Sequence, residues 1–308
     1  MALGSGKGCE KTMKDFTKKS KLRLYFNSER IYQICLTIAL IFLIFLCIYP
    51  LIYVVSASFM SAEEWFARGG VFLIPHRPTL EAYRIVLSQT NFYKSLLVSV
   101  ARSTIAPILG TFMNAIAGYM LSRKDLIGKK VISIFLFITL IYGGGLIPSY
   151  LVIEATGLRN TFWVYIIPGL LGAWGTLVFR QTFLSTPIEI EESAKLDGAS
   201  ELTLLFRIML PINMPTVAVM LLFGAVGHWN AWFDAFMYID SNNTNLIPVQ
   251  LYLKNAFSSA DQSTTGVLLH TETQKMVIAV IGILPILCVY PFFQKYFTKG
   301  VYMGASKG

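Results

Sequence analysis

Few residues of this chain are equipped for chemistry, and most of them share one stretch. Thr186 to Pro211 reads TPIEIEESAKLDGASELTLLFRIMLP. It is the one long charged, amphipathic segment between apolar runs. Glu189, Glu191 and Glu192 crowd its first half, and Asp197-Gly198 and Ser200 follow. Elsewhere such groups are scattered. His76, His228 and His270 are too far apart in sequence to suggest a metal cluster. Cys9, Cys35, Cys47 and Cys288 form no C-x-x-C pair, and three of them read as small apolar fillers. Gly4-Ser5-Gly6-Lys7-Gly8 lacks the hydroxyl residue and the earlier glycine that a phosphate-binding loop needs. Within the apolar runs there is no paired carboxylate, metal spacing or nucleophile motif. The chemistry open to the acidic stretch is therefore that of a contact surface.

The local signals of this stretch predict helix, turn, helix. Thr186 is placed to cap the first helix, Pro187 suits its first turn, and Glu189 completes a T-x-x-E capping box. The three glutamates lie near the positive end of the helix dipole. Asp197-Gly198 marks a turn, because glycine accepts positive φ. Ser200 caps a second helix with Leu202, Leu205, Phe206 and Met209 on one face, and Pro211 ends it. The bland reading is a surface hairpin with a solvated acidic face.

The register supports a sharper reading. Glu192-Ser193-Ala194, three residues, Gly198, nine residues, then Ile208-Met209-Leu210-Pro211 resembles the EAA loop of bacterial ABC importer permeases. Its pattern is E-A-A, three residues, G, nine residues, I-x-L-P. Ser193 replaces one alanine, a small-for-small change. Val71 to Pro75 and Pro78 to Tyr83 resemble the first external loop of sugar importer permeases. Tyr142-Gly143-Gly144-Gly145-Leu146-Ile147-Pro148 resembles a signature of the branch that serves complex oligosaccharides, which includes the alginate importer. The tail from Gln294 to Val301 extends the likeness, so that it covers nearly the whole chain. The chain is similar to the smaller permease of the maltose importer.

Composition places these motifs in a bilayer. Of the 308 residues, 55% are hydrophobic and 14% charged, against roughly 25% charged in soluble domains. Mean hydropathy is +0.58. The predicted fold class is all-α integral membrane, with six transmembrane helices. The spans run over 31–55, within 92–122, 131–153, 161–179, 212 to about 238, and 276–293. Residues 1–30 form a basic tail, in which Met13 could be an alternative start. Residues 31–298 form the membrane domain with the EAA loop at 186–211, and 299–308 a second tail. The first run is too long for a signal-peptide core of roughly 7–15 residues, so it reads as a retained helix. Lys94 snorkels to the interface, and Arg102 reads as an interface anchor.

Six spans put both termini on one side. That side carries eighteen Lys and Arg, in the N-tail, at 123–130, in the arm and in the C-tail, against six on the other side. The positive-inside rule predicts cytoplasmic termini and a cytoplasmic arm in a bacterial inner membrane. The +9 net charge is thus explained by topology rather than by nucleic acid.

The resemblance implies partners. Such importers pair two homologous permeases with two ATPase subunits and an external or periplasmic sugar-binding protein. No cofactor is expected in this chain, since ATP and Mg²⁺ bind the ATPases. The implied ATPase contacts are Glu192, Ser193, Ala194, Asp197, Gly198 and Ala199. Phe206 and Ile208 would pack the arm on its own subunit, and Lys299, Gly300 and Val301 would reach the ATPase from the tail. Trp229, Asn230 and Trp232 could offer stacking faces and an amide to a sugar; aromatics in a transmembrane helix also serve as packing or interfacial anchors. The rival is an ion-driven secondary transporter, which needs ionisable residues at mid-membrane. The span cores offer it only His228.

Overall fold

The computed structural model describes residues 6–68, 74–258 and 272–305. Every described element is helical. The long first helix, α1 (Gly6–Ser58), contains the first apolar run, whose side chains stay exposed within this chain. Two short helices, α2 (Ala62–Ala67) and α3 (Glu81–Ser88), follow. Part of the expected external-loop resemblance, residues 71–73, lies outside the described residues.

The mast of the molecule is α4 (Thr90–Ser122), about 50 Å long at 1.5 Å per residue. It packs against α7 (Ala173–Leu184) and α11 (Met214–Asn230). Small residues make this possible, since helices in lipid associate through close packing rather than apolar burial. A Cβ on Gly118 would lie 2.6 Å from Phe179 Cβ and 2.8 Å from the Arg180 nitrogen. Asn114 locks the same interface. Its amide donates to Gly110 O at 2.6 Å, and its Oδ1 accepts from Gly172 N and from the Thr176 hydroxyl, both at 3.0 Å. Pro107 lies inside α4; bundle neighbours make this tolerable in a membrane helix.

Three of the expected spans are broken, the third span at Gly143-Gly144-Gly145, where the sequence already interrupts the apolar run. α5 (Lys129–Ile141) and α6 (Leu146–Ala155) meet at 115°. Gly144 and Gly145, at φ 71° and 90°, make that turn. The fourth run is a 3₁₀ segment, Phe162–Gly169, bent 46° from α7. In the fifth, α11 ends at Asn230, Ala231 is extended, and α12 (Phe233–Tyr238) restarts the helix. Between α7 and α11 lie α8 (Ile188–Leu196), α9 (Glu201–Thr203), a π-helical turn (Leu204–Met209) and α10 (Leu210–Ile212). α13 (Val249–Ser258) and α14 (Glu272–Ala305) complete the chain, and α14 packs along α1. Among the described residues, two helices are alone long and apolar enough to cross a membrane, and the three bent pairs bring the number to five.

Two apolar cores sit at opposite ends of α4. One joins Tyr119, Phe179 and Phe183 to Ala194, Leu204, Leu205 and Met209 of the arm. The other joins Val98 and Ala106 to Tyr165, Ala235 and Leu251.

Candidate functional site

The arm is built as the sequence indicates in outline, with two local corrections. Thr186 does not cap α8. The cap residue is Pro187, with no side-chain bond, because the Thr186 hydroxyl is engaged elsewhere. It donates to Thr182 O at 3.3 Å and accepts from Asn213 Nδ2 at 3.1 Å. Glu189 and Glu191 still fall in the first turn of α8. The second helix is not a regular α-helix. Ser200 does cap it, accepting from Thr203 N at 3.3 Å, but the π turn follows, and helix continues through Pro211 to Ile212. The extra residue in that turn breaks the expected stripe. Leu205 and Met209 are buried, whereas Leu202 is 70% exposed.

The turn between the two helices has the required glycine: Gly198 has φ 79°. Within this chain nothing lies within 4 Å of where its Cβ would be. Glu192, Ser193, Asp197 and Gly198 are exposed. Ala194 is buried in the arm core, and Ala199 and Ile208 pack against that core. Phe206 meets the Phe112 ring at 6.3 Å but remains half open. Leu196, at the tip, is 90% exposed.

Arg123, just past α4, holds the arm. Its guanidinium bonds Glu191 of α8 and Glu201 of α9. The Tyr119 hydroxyl donates to Glu201 at 2.7 Å, and Lys195 bridges to Glu191 at 3.0 Å and Glu201 at 3.8 Å. Burial alone would raise the Glu201 carboxyl. The Tyr119 and Arg123 bonds outweigh it and hold the group below the ordinary glutamate value. Lys129 donates to Arg123 O at 2.9 Å, closing the end of the mast. Arg123, Glu191 and Glu201 as a clamp escaped the sequence reading; the only hint was a basic turn after the second span.

A second charged cluster lies along α4, in its N-terminal half. Arg102 is not an interface anchor. Its side chain is fully buried and pairs with Asp234 of α12. It also donates to Ala231 O at 3.3 Å, a carbonyl freed by the break in the fifth run. Its guanidinium lies 4.2 Å from the Tyr165 ring centroid. His228 lies near, and its Nδ1 is buried with no hydrogen-bond partner. The span interiors therefore hold an ion pair beside His228.

This architecture has relatives. The chain is 36% identical over 285 residues to the polygalacturonan/rhamnogalacturonan transport system permease protein YtcP of Bacillus subtilis (strain 168), covering 90% of this chain and 97% of that protein. The chain belongs to the permease subunits of carbohydrate-importing ABC transporters. Protein LplC of the same organism is 33% identical over 288 residues, covering 92% and 97%. A crystal structure of a bacterial ABC transporter that imports the acidic polysaccharide alginate contains a chain 27% identical to this one. It superposes with a TM-score of 0.75 over 88% of this chain and 98% of that one. No family model matches the sequence.

In this permease the remaining expected site residues fall in different settings. Trp229 is 4% exposed, and its indole N–H donates to Gly282 O at 2.8 Å. The Lys254 ammonium sits 3.5 Å from the Trp232 ring centroid. Asn230 is exposed. Lys299, Gly300 and Val301 lie on α14, with side chains outside the described residues.

Proposed function

We propose that this permease forms one half of a sugar path and takes its energy from a separate ATPase pair through the arm. The observation that carries this is the two-sided burial of the EAA motif. Ala194 and Ala199 pack inward on the bundle, while Glu192, Ser193, Asp197 and Gly198 face outward. Leu196 and Leu202 flank the same turn with their apolar side chains bare. A face fixed to its own bundle and open on the other side is suited to receive a push from outside. When ATP closes the ATPase dimer, the arm moves, and the Arg123 clamp passes the motion to α4. Hydrolysis reverses it, giving two discrete arrangements. The placement proposed is six spans with both termini and the arm in the cytoplasm, flanked by tails at 1–30 and 299–308. A second homologous permease completes the path, an external binding protein delivers the sugar, and Lys299, Gly300 and Val301 meet the ATPase. The polymer-directed names of the relatives favour an oligosaccharide released from a polysaccharide as cargo.

The test is uptake by the four-chain complex in proteoliposomes with its binding protein. Vanadate-sensitive, ATP-dependent accumulation of an oligosaccharide is expected. Accumulation driven by an ion gradient without ATP would overturn the reading in favour of the ion-driven rival.

A further inference from the structure

The two apolar cores meet along a seam, and three runs that cross it are weak there. On α4, Ala115 belongs to the arm core and Ala106 to the far core. Between them lie Gly110 and Pro107, and proline has no N–H to give the helical ladder. On the fourth run, Phe179 belongs to the arm core and Ile166 to the far core. The 46° bend between the 3₁₀ segment and α7 falls between these two. On the fifth run, Met220 and Ala235 take the same two sides, with Gly224 and the extended Ala231 between them. The weak points touch one another. A Cβ on Gly224 would lie 2.9 Å from Pro107 Cβ, and one on Gly110 would lie 3.7 Å from the carbonyl oxygens of Gly169 and Leu170.

One buried side chain closes the seam. The Asn114 amide nitrogen donates to Leu170 O at 3.5 Å as well as to Gly110 O, and its Oδ1 accepts from Gly172 N at 3.0 Å. A carboxamide carries a donor and an acceptor side by side, so one group from α4 serves the backbone on both sides of Leu171, where the fourth run bends. Backbone freed at membrane depth has to stay bonded. A bend held by its own ladder would lose bonds on moving, whereas one held by a side chain from a neighbouring helix can change its angle and keep them. Below the bend the packing is rigid. Gly118 lets α4 and α7 meet at backbone distance, and Arg180 Nε donates to Leu121 O at 3.3 Å. Hinges are a few element-terminal residues that absorb a change in dihedral angles. We infer that Asn114 is a positioning residue of the transport cycle, pinning the bend at Leu171 as a hinge. α7 and the C-terminal part of α4 move with the arm as one body, and the 3₁₀ segment moves with the far core as the other. The inference rests on the ATP-driven reading above and names where the push on the arm becomes a bend.

The experiment measures distances between spin labels in the assembled complex in proteoliposomes, with Cys9, Cys35, Cys47 and Cys288 replaced by serine. Ser185→Cys with Lys124→Cys places both labels on the arm body, and Ser185→Cys with Ser241→Cys places them across the hinge; all three positions are exposed. Between the nucleotide-free and the ATP–vanadate states, the first distance is expected to stay and the second to shift by several ångströms. A first distance that shifts as much as the second overturns the hinge. Asn114→Ala is then expected to shrink or smear the second shift, and to lower uptake per ATP hydrolysed several-fold for the best-carried of maltotriose, arabinotriose and trigalacturonate. Thr176→Val removes only the bond from α7 to Asn114 Oδ1 and leaves the bonds astride Leu171, so it is expected to keep both readouts. Equal losses in the two variants would reduce Asn114 to packing, and a wild-type shift and ratio in Asn114→Ala would overturn the pin. A complex in which neither distance responds to ATP and no probe accumulates overturns the ATP-driven reading itself, and the hinge with it.

Discussion

Two arginines, one inside α4 and one just past its end, do opposite work. Arg102 and Arg123 are separated by roughly 30 Å of α4 at 1.5 Å per residue, about the thickness of a bilayer core. Arg102 is sealed in, holds one carboxylate and one freed carbonyl, and stacks on an aromatic ring. Arg123 sits at the edge and gathers two carboxylates from two short helices. A buried pair punishes the loss of one partner, because the charge left behind has no water. The Arg123 clamp is partly buried, with Arg123 13% and Glu201 59% exposed; pairs open to water contribute typically ~0–1 kcal/mol, and the value of this one lies in geometry. The same residue type thus fixes packing inside the bundle in one place and, on the proposed mechanism, transmits movement in the other.

The sharpest break of this contrast is Asp234→Ala. It strands a fully buried guanidinium, and about 3–5 kcal/mol of stability should be lost. Thermal unfolding of the solubilised complex reads it. Arg102→Ala should cost less, because Asp234 keeps some access to water. Replacing both, Arg102→Met with Asp234→Leu, should restore part of the loss, leaving about 1–3 kcal/mol for the unpaired Ala231 carbonyl. Equal losses in all three would remove the distinction between the two arginines.

Next comes Gly198→Asp. Aspartate tolerates positive φ better than most residues, and this chain leaves the space open. Insertion into the membrane should therefore be normal. Against an ATPase surface, added bulk beside Asp197 should cut co-purification and uptake about tenfold or more. Wild-type assembly and uptake would show that the turn is not a packed contact.

The arm was legible in sequence because its signals are local. A glycine at a forced turn and a serine three residues before its bonded amide can be read within a short window. The clamp and the buried pair could not be. Arg102 and Asp234 meet across 132 residues, and only packing of the broken fifth run brings them together. The apolar pattern marked the third, fourth and fifth runs as membrane-deep, and Gly143-Gly144-Gly145 with Pro148 marked an interruption in the third, but periodicity does not register that the bend there is 115°. The π turn hid for a similar reason, since its stripe was read at the ordinary helical spacing.

Arg123→Ala is the third test. Stability should fall by no more than about 1–2 kcal/mol, and uptake per ATP hydrolysed should fall several-fold more clearly than assembly does. Arg123→Lys keeps the charge but loses the fork that spans two carboxylates, so it should only partly restore coupling. Unchanged uptake per ATP in Arg123→Ala would place force transmission elsewhere.

The smallest effects come from solvent. Raising salt should loosen the Arg123–Glu201 side of the clamp, where Glu201 is open to solvent, and leave the Arg102 pair intact, since screening acts on exposed charges. Proteolysis of the arm reads the first, and thermal unfolding the second. Glu201 adds a pH dependence with a defined sign. Its carboxyl is depressed in the folded chain, so its contribution is present above the ordinary glutamate value of about 4.3 and fades as pH falls through the lower folded value. The arm should resist proteolysis equally at neutral and mildly acidic pH, and loosen only below that range. Loosening at mildly acidic pH would show that Glu201 is not held by Tyr119 and Arg123.

The bare leucine at the tip of the arm has a consequence for the cell. Leu196 is 90% exposed and Leu202 70% exposed, and on the proposed placement both face the cytosol until an ATPase covers them. Exposed apolar groups are what chaperones and proteases sort on. A permease made in excess of its motor would carry its own mark for disposal. The same side chains that complete the assembled machine would then keep its subunits in proportion, with no separate regulator.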